Sequence, residues 1–242
     1  MRRLDTRTIL HTWEACQGQP PHQVALTLLA ATGPERTLEQ WEALALGRRD
    51  EALLTLHQMS FGAELAAYTE CPRCAERLEL TIAIDALRRP QTAQEETFEV
   101  ADGDRTWRFR LPNTADVAAV AAAQTDAAGA RGLFAQRCVV DGPPGAAAAA
   151  ELSAAAVERL CQEIDRRDPM AAMTVALRCP SCGHPWACAL DAGAFVWEKV
   201  SASAKRLLRE VDALARAYGW SEAEILDLSP WRRQCYLQMV GA

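Results

Sequence analysis

The sequence lacks a long apolar run, an apolar leader and an excess of positive charge. No run approaches the roughly 20 apolar residues that a membrane helix needs. The N-terminus, Met1 to Thr8, opens with charged residues but has no apolar segment after them, so no secretory signal is expected. A formal net charge of −6 argues against general nucleic-acid binding. We therefore expect a cytoplasmic protein with reduced thiols, no membrane segment and no nucleic-acid partner.

The familiar motifs of catalysis are also missing. There is no glycine-rich phosphate loop, no Gly-x-Ser-x-Gly turn and no His-Glu-x-x-His pair. The many carboxylates fall on the solvent faces of predicted helices, at the four-residue spacing of surface ion pairs. His11, His22 and His57 are isolated, and we assign no ligand role to any of them. The sequence thus predicts a protein that is not an enzyme and has no small-molecule substrate.

Two short cysteine motifs stand out, Cys71-Pro72-Arg73-Cys74 and Cys179-Pro180-Ser181-Cys182. A run with two-residue alternation leads away from each motif, which predicts a β-hairpin with a thiol pair at its tip. Two intervening residues let one tight turn aim both thiolates at a single ion, and proline presets the turn. Two such tips supply four sulfurs, the ligand count of a closed tetrahedral zinc site. We therefore predict that structural Zn²⁺ is held by Cys71, Cys74, Cys179 and Cys182.

The separation of the two motifs is unusual, because 104 residues, positions 75 to 178, lie between Cys74 and Cys179. Ordinary zinc ribbons leave far fewer. The site would therefore join distant parts of the chain. A redox dithiol is one alternative, although no βαβ pattern surrounds either motif, and a pair of hairpins whose thiols bind nothing is another. His184 is favoured as an orienting or neutral residue and Cys188 as a packed thiol, but a contact of either with the metal stays open.

Hydrophobic periodicity and turn signals predict an α+β fold that is rich in helices. The two Cys-Pro-x-Cys hairpins would form a split zinc-ribbon-like unit, and a C-terminal helical segment would follow. The polar stretch 91–97 and the Gly-, Pro- and Ala-rich stretch 142–150 are interpreted as connections. The predicted organisation has four parts: an N-terminal helical region at 1–62, the split double-hairpin unit at 63–90 and 170–191, an inserted hairpin-plus-helices subdomain at 91–169, and C-terminal helices at 192–242.

Local signals predict several boundaries. Asp50 is a predicted N-cap for a helix that carries a run of leucines. Asp102-Gly103 lies between two alternating runs, which predicts the turn of a hairpin. Ser221 and Glu224 match a capping box for a short helix near the end of the chain. These signals depend only on neighbours in the sequence.

The stretch from Ala192 to Tyr218 is the most periodic part of the chain. Its apolar residues recur at steps of three and four, which predicts one apolar stripe on a helix of about seven turns. Gly219 is the expected glycine after its last turn. The C-terminal helices, 192–240, are our candidate partner surface, although a stripe of this kind is more often part of the protein's own core.

Three blocks of sequence carry a resemblance to a known family. The first is Ala-Leu-Gly-Arg-Arg-Asp-Glu-Ala-Leu-Leu-Thr-Leu at 45–56, which runs through Phe61-Gly62 into the first cysteine motif. The second is Cys-Pro-Ser-Cys-Gly-His-Pro-Trp at 179–186, with Phe-Val-Trp at 195–197 after it. The third, at 206–237, contains Ala-Tyr-Gly-Trp-Ser-Glu and then Leu-Ser-Pro. Together these blocks resemble baseplate proteins encoded in bacterial contractile-tail clusters, both phage-like tails and extracellular contractile injection systems.

That group is similar to the baseplate hub assembly family of T-even-type phages. The resemblance implies a non-enzymatic protein with baseplate or hub proteins as partners. It would act as an assembly factor (a chaperone) in the cytoplasm, or remain in the assembled tail particle as a minor component. Two rival functions use the cysteine motifs differently: a zinc-ribbon adaptor that binds nucleic acid or protein, and a thiol-redox protein.

Overall fold

A computed structural model of the chain describes residues 1–89, 97–142 and 152–241. It is a mixture of helices and small antiparallel sheets, which confirms the predicted α+β class. The helices are α1 Thr6–Ala15, α2 Pro21–Thr32, α3 Leu38–Glu42, α4 Leu46–Phe61, α5 Ile84–Leu87, α6 Thr114–Ala123, α7 Ala127–Cys138, α8 Ala154–Arg167, α9 Ala192–Tyr218, α10 Glu222–Asp227 and α11 Pro230–Met239. The strands are β1 Glu64–Glu70, β2 Arg77–Ala83, β3 Phe98–Asp102, β4 Arg105–Phe109, β5 Val139–Asp141, β6 Thr174–Arg178 and β7 Pro185–Ala189.

The strands form three separate sheets. β1 pairs with β2, and β6 pairs with β7, each as an antiparallel hairpin. The third sheet has the order β3-β4-β5 and lies in the part of the chain between the two hairpins. The predicted connections at 91–97 and 142–150 fall almost wholly on residues outside the described ranges.

The largest core surrounds the first half of α9. Its buried residues come from α2, α4 and α9 and from the bases of the β1–β2 and β6–β7 hairpins. Val196 and Val200 of α9 are fully buried there, against leucines of α4 such as Leu53 and Leu54. Burial of each large aliphatic side chain stabilises the fold by about 1.5–3 kcal/mol. The apolar stripe that the sequence predicts on this 27-residue helix is therefore mostly used inside the protein.

A second core lies between β3, β4, α7 and α8. Phe98, Trp107 and Phe109 fill it, together with Cys138 from α7 and Leu160 from α8. None of these five residues belongs to the core around α9. The residues between the two cysteine hairpins thus bury their own apolar surface.

A buried carboxylate joins the elements of this second region. Asp116 of α6 accepts two hydrogen bonds from Arg110, with N···O distances of 2.6 and 3.0 Å, and one from Arg137 Nε at 2.8 Å. The backbone N–H of Asn113 donates a further bond to the same carboxylate at 3.0 Å. Burial raises the pKa of Asp116, but the two guanidinium groups and the backbone donor outweigh it and hold the pKa below its usual range.

Two local predictions are wrong in detail. Asp50 does not cap a helix, because α4 begins at Leu46 and Asp50 lies buried inside it beside Arg49. The helix can start early because its first N–H groups find acceptors elsewhere in the chain, as when Leu46 N donates to Pro112 O at 3.0 Å. The hairpin turn is Gly103-Asp104 rather than Asp102-Gly103, since Asp102 pairs with Arg105 and Gly103 takes the positive φ of +61°.

Candidate metal centre

Both cysteine motifs form the tight turn at the tip of a hairpin, as the sequence predicts. In the first turn Cys71 N donates to Glu76 O, and Ala75 N donates to Cys71 O, both at 2.9 Å. The second turn repeats the pattern: Cys179 N donates to His184 O at 3.0 Å, and Gly183 N donates to Cys179 O at 2.9 Å. The two tips therefore present their thiols on the same backbone scaffold.

The residue after each second cysteine has a left-handed conformation. Gly183 has φ of +69°, a conformation that glycine adopts without steric cost. Ala75 occupies the same place in the first turn with φ of +57°. A residue with a Cβ costs roughly 1–2 kcal/mol in this region. Nothing in the sequence marks Ala75 for such a conformation, because alanine has no preference for it.

The fold brings the four predicted sulfurs together. The Sγ atoms of Cys71, Cys74, Cys179 and Cys182 all lie within 4.8 Å of one another, and we call this group the four-cysteine cluster. Two contacts cross between the hairpins: Cys71 Sγ to Cys182 Sγ is 3.7 Å, and Cys74 Sγ to Cys179 Sγ is 3.5 Å. A disulfide needs about 2.05 Å, so these are free thiols in contact.

Two of the sulfur–sulfur separations match the dimensions of a tetrahedral thiolate site. With metal–sulfur bonds of about 2.3 Å, a regular tetrahedron places its sulfurs about 3.8 Å apart. The two contacts of 3.5 and 3.7 Å are close to that spacing. Four soft sulfur donors at this separation are compatible with a thiophilic metal ion such as zinc.

Backbone donors and neighbouring thiols shift the acidity within the cluster. Burial opposes ionisation of Cys71, but the N–H groups of Arg73 and Cys74 point at its sulfur, and its pKa falls to about 7. The N–H of Glu76 favours the Cys74 thiolate, yet the adjacent Cys182 thiol and burial oppose it more strongly and raise its pKa to about 12. Ionisation of Cys71 is therefore easy in this cluster, whereas ionisation of Cys74 is opposed. A bound cation removes that opposition, because it neutralises the negative charge of the thiolates.

The four cysteines of the cluster differ in their exposure to solvent. Cys71 and Cys179 are buried, with 2% and 1% of their surfaces exposed, whereas Cys182 is half-buried and Cys74 is exposed. Both hairpins are rooted in the core around α9, through Leu65 of the first and through Met173 and Leu190 at the base of the second. The cluster thus connects two hairpins that share one apolar base.

His184 and Cys188 lie outside the cluster. The His184 ring stacks on Trp186 with 6.4 Å between ring centroids, and only its backbone carbonyl supports the turn. Cys188 is half-buried on β7, and its Sγ lies 3.7 Å from Ala189 O. Across residues 1–89, 97–142 and 152–241, the four-cysteine cluster is the one group of three or more Cys, His, Asp or Glu residues arranged to hold a metal.

Comparison of the chain with protein-family models, with curated proteins and with solved structures finds no match. Among the helices that the structure describes, none is long and apolar enough to cross a membrane.

Proposed function

We propose that the four-cysteine cluster holds one structural Zn²⁺ and that the two hairpins, 63–90 and 170–191, act as a split zinc-ribbon-like unit. The observation that supports this is the convergence of four sulfurs within 4.8 Å on two turns with the same hydrogen bonds. Zinc suits the site because it prefers four tetrahedral ligands and accepts sulfur. The ion would connect the hairpin that follows α4 with the hairpin that precedes α9.

A zinc ion with four cysteine ligands has no open position for water or substrate. We therefore propose a structural role for the metal and a non-enzymatic role for the protein. The resemblance of the sequence to contractile-tail proteins supports a baseplate or hub assembly factor, or a minor baseplate component, of a contractile tail or injection system.

The exposed face of α11 is our proposed contact surface for baseplate or hub proteins. Trp231 and Met239 are 76% and 73% exposed, and Cys235 lies four residues from each, so the three form one stripe along the helix. Exposed tryptophans at such positions frequently dominate the energy of protein interfaces. Leu237, on the other face of α11, packs against Leu214 of α9 and anchors the helix.

The first test of the proposed function is to find the protein in its native host. The chain is tagged, finished tails are separated from lysate, and the protein is quantified in both fractions by mass spectrometry. A fixed ratio to a hub protein in finished tails supports a structural component, and complexes found only in the lysate support an assembly factor. Absence from tails and from all baseplate or hub complexes overturns the proposed function.

The contact surface is tested in the same host with Trp231→Ala. We expect this variant to fold normally and to recover less of the baseplate or hub partner. Met59→Ala, at a 43% exposed methionine of α4, is the matched control and should recover the partner as the wild type does. Equal recovery with both variants would rule out the α11 stripe. Removal of α11 as a whole is less informative, because it would uncover Leu214 and Ile225 in the core.

A further inference from the structure

A groove of about 990 Å³ lies between β1 and α9, and we call it the β1–α9 groove. Ala66, Ala67 and Tyr68 form its strand side. Its helix side extends along α9 from Ala194 to Arg209. Fifteen helical steps span about 22 Å, which matches an extended peptide of about six or seven residues.

The groove collects positive charge in an acidic protein. Lys199 and Lys205 are the only lysines in a sequence with 26 lysines and arginines together, and both line the groove with Arg209. Within the described ranges none of these three cations takes part in an ion pair, although other basic residues of α9, such as Arg216, do. Glu198 is the one acidic residue in the lining. The groove lining therefore carries a net positive charge, and its three cations make no ion pair with a carboxylate of the described residues.

The strand side of the groove has unused backbone hydrogen-bonding groups. Ile84 N donates to Ala63 O, and Cys71 N donates to Glu76 O, at the two ends of the β1–β2 ladder. In an antiparallel pair, the residues that bond across the pair alternate along each strand. Ala63 and Cys71 both bond across this pair, so its register directs the backbone groups of odd-numbered β1 residues toward β2. The N–H and C=O groups of Ala66 and Tyr68 therefore point to the outer edge of β1, where no strand of the described residues pairs with them.

The rest of the lining suits a peptide chain. Small residues of α9, Ala194, Ser201 and Ala202, leave room for a backbone to approach the helix. Phe195 and Trp197 flank them and offer apolar surface to side chains of the ligand. An open strand edge beside surface that can receive alternate side chains is the feature of strand-addition sites.

We propose that the β1–α9 groove binds an extended acidic peptide segment of a partner protein. The segment would add a strand to the outer edge of β1 and place its carboxylates against Lys199, Lys205 and Arg209. A peptide fits better than a nucleic acid, because an unpaired strand edge presents alternating N–H and C=O groups, which the backbone of an added strand complements. This proposal is independent of the baseplate role and of the α11 stripe.

The probe is a fluorescein-labelled heptapeptide of alternating valine and glutamate, and binding to the full chain is followed by fluorescence anisotropy. We expect saturable binding that weakens as salt is raised. A glutamine version of the peptide should bind at least about tenfold more weakly, since it lacks the charges. A version with alternate backbone amides N-methylated should also fail, because it cannot add a strand. A peptide that does not bind, or that binds equally in all three versions, overturns the proposal.

Variants of the protein locate the binding site. Lys205→Glu with Arg209→Glu should weaken binding by at least about tenfold, whereas Arg131→Glu on α7, also exposed, is the control for a charge reversal outside the groove and should leave binding unchanged. Ala66→Pro removes only an outward-facing N–H of β1 and should abolish strand addition while the fold is kept. Unchanged affinity in the double variant would overturn the proposal. Tighter binding of a single-stranded oligonucleotide than of the acidic peptide would also overturn it, in favour of nucleic acid.

Discussion

Asp168 caps the N-terminus of α4 from 121 positions away, because its Oδ2 accepts a hydrogen bond from Gly47 N at 2.9 Å. Asp168 is 1% exposed and directly follows α8. Gly47 has no Cβ, and a Cβ built there would overlap Asp168 Oδ1. The pair ties the chain just before the second hairpin to the helix that precedes the first. This hydrogen bond joins the chain near the bases of the two hairpins, and the four-cysteine cluster joins their tips.

This close approach predicts that Gly47→Ala is destabilising. The added methyl group should displace the carboxylate and cost about 1–3 kcal/mol in the free energy of unfolding. Asp168→Ala should cost about 0.5–2 kcal/mol, because the helix loses its cap. Urea denaturation of the three proteins measures both effects.

Gly132→Ala is the control for the glycine substitution. Gly132 lies in α7, and a Cβ built there meets nothing within 4 Å. Alanine should therefore stabilise the helix by about 0.5–1 kcal/mol. Gly47→Ala and Gly132→Ala should thus shift stability in opposite directions, and equal shifts would contradict the proposed contact.

The proposed zinc site predicts one metal ion per chain and a strong dependence of the fold on it. Cys71→Ser should lose the ion and several kcal/mol of stability, since ligand binding and folding are coupled. Cys188→Ser, at a thiol outside the cluster, should keep both. Elemental analysis of purified protein gives the metal content, and thermal melts with and without a chelator give the stability. A Cys71→Ser protein with full metal content and unchanged melting temperature would refute the site.

The buried carboxylate of Asp116 should be essential to the region between the hairpins. Asp116→Asn removes the charge that two guanidinium groups share, and we expect a loss of about 3–5 kcal/mol. Because the pKa of Asp116 is lowered in the folded state, its contribution is present above the usual aspartate range and is lost only at more acidic pH. Denaturant melts at neutral pH measure the loss. Asp141→Asn, at an exposed pair with Arg108, should change stability by less than about 1 kcal/mol.

Asp50 predicts a pH dependence of the opposite sign. Burial raises the pKa of Asp50 to about 6, although the positive charge of Arg49 offsets part of that rise. The folded protein thus holds this proton more tightly than the unfolded chain, so the carboxylate lowers stability as pH rises from about 4 to about 6. Asp50→Asn should gain stability relative to the wild type over that interval, on the order of 3 kcal/mol. Paired denaturant melts at several pH values test this, and a difference that stays constant with pH would contradict it.

Helix boundaries with local signals could be predicted from the sequence. The capping box of Ser221 and Glu224 and the C-terminal glycine Gly219 lie where expected, because their hydrogen bonds join neighbours in the chain. The start of α4 could not be predicted, since its acceptors, Pro112 O and the Asp168 carboxylate, are distant in sequence. β5 was missed for a similar reason, because this strand exists only through its pairing with β4.

The candidate site also has features that local sequence signals predict and features that they do not. Spacing within each Cys-Pro-x-Cys motif was enough to predict which four cysteines come together, since a tight turn presents both thiols of a pair. The left-handed Ala75 and the β1–α9 groove had no such signal. The groove depends on the packing of β1 beside α9, and its one trace in the sequence is that both lysines of the chain fall in its lining.

The separation of the two cysteine hairpins along the chain also sets an order in time. A ribosome that adds about 5 to 20 residues per second releases Cys71 and Cys74 roughly 5 to 20 seconds before Cys179 and Cys182. Until then the first hairpin has two thiols and no partner turn. A nascent chain that stalls within the intervening region cannot assemble the cluster. Closure of the four-cysteine cluster therefore waits for synthesis of the second hairpin, and it distinguishes chains that extend past Cys182 from chains that stop before it.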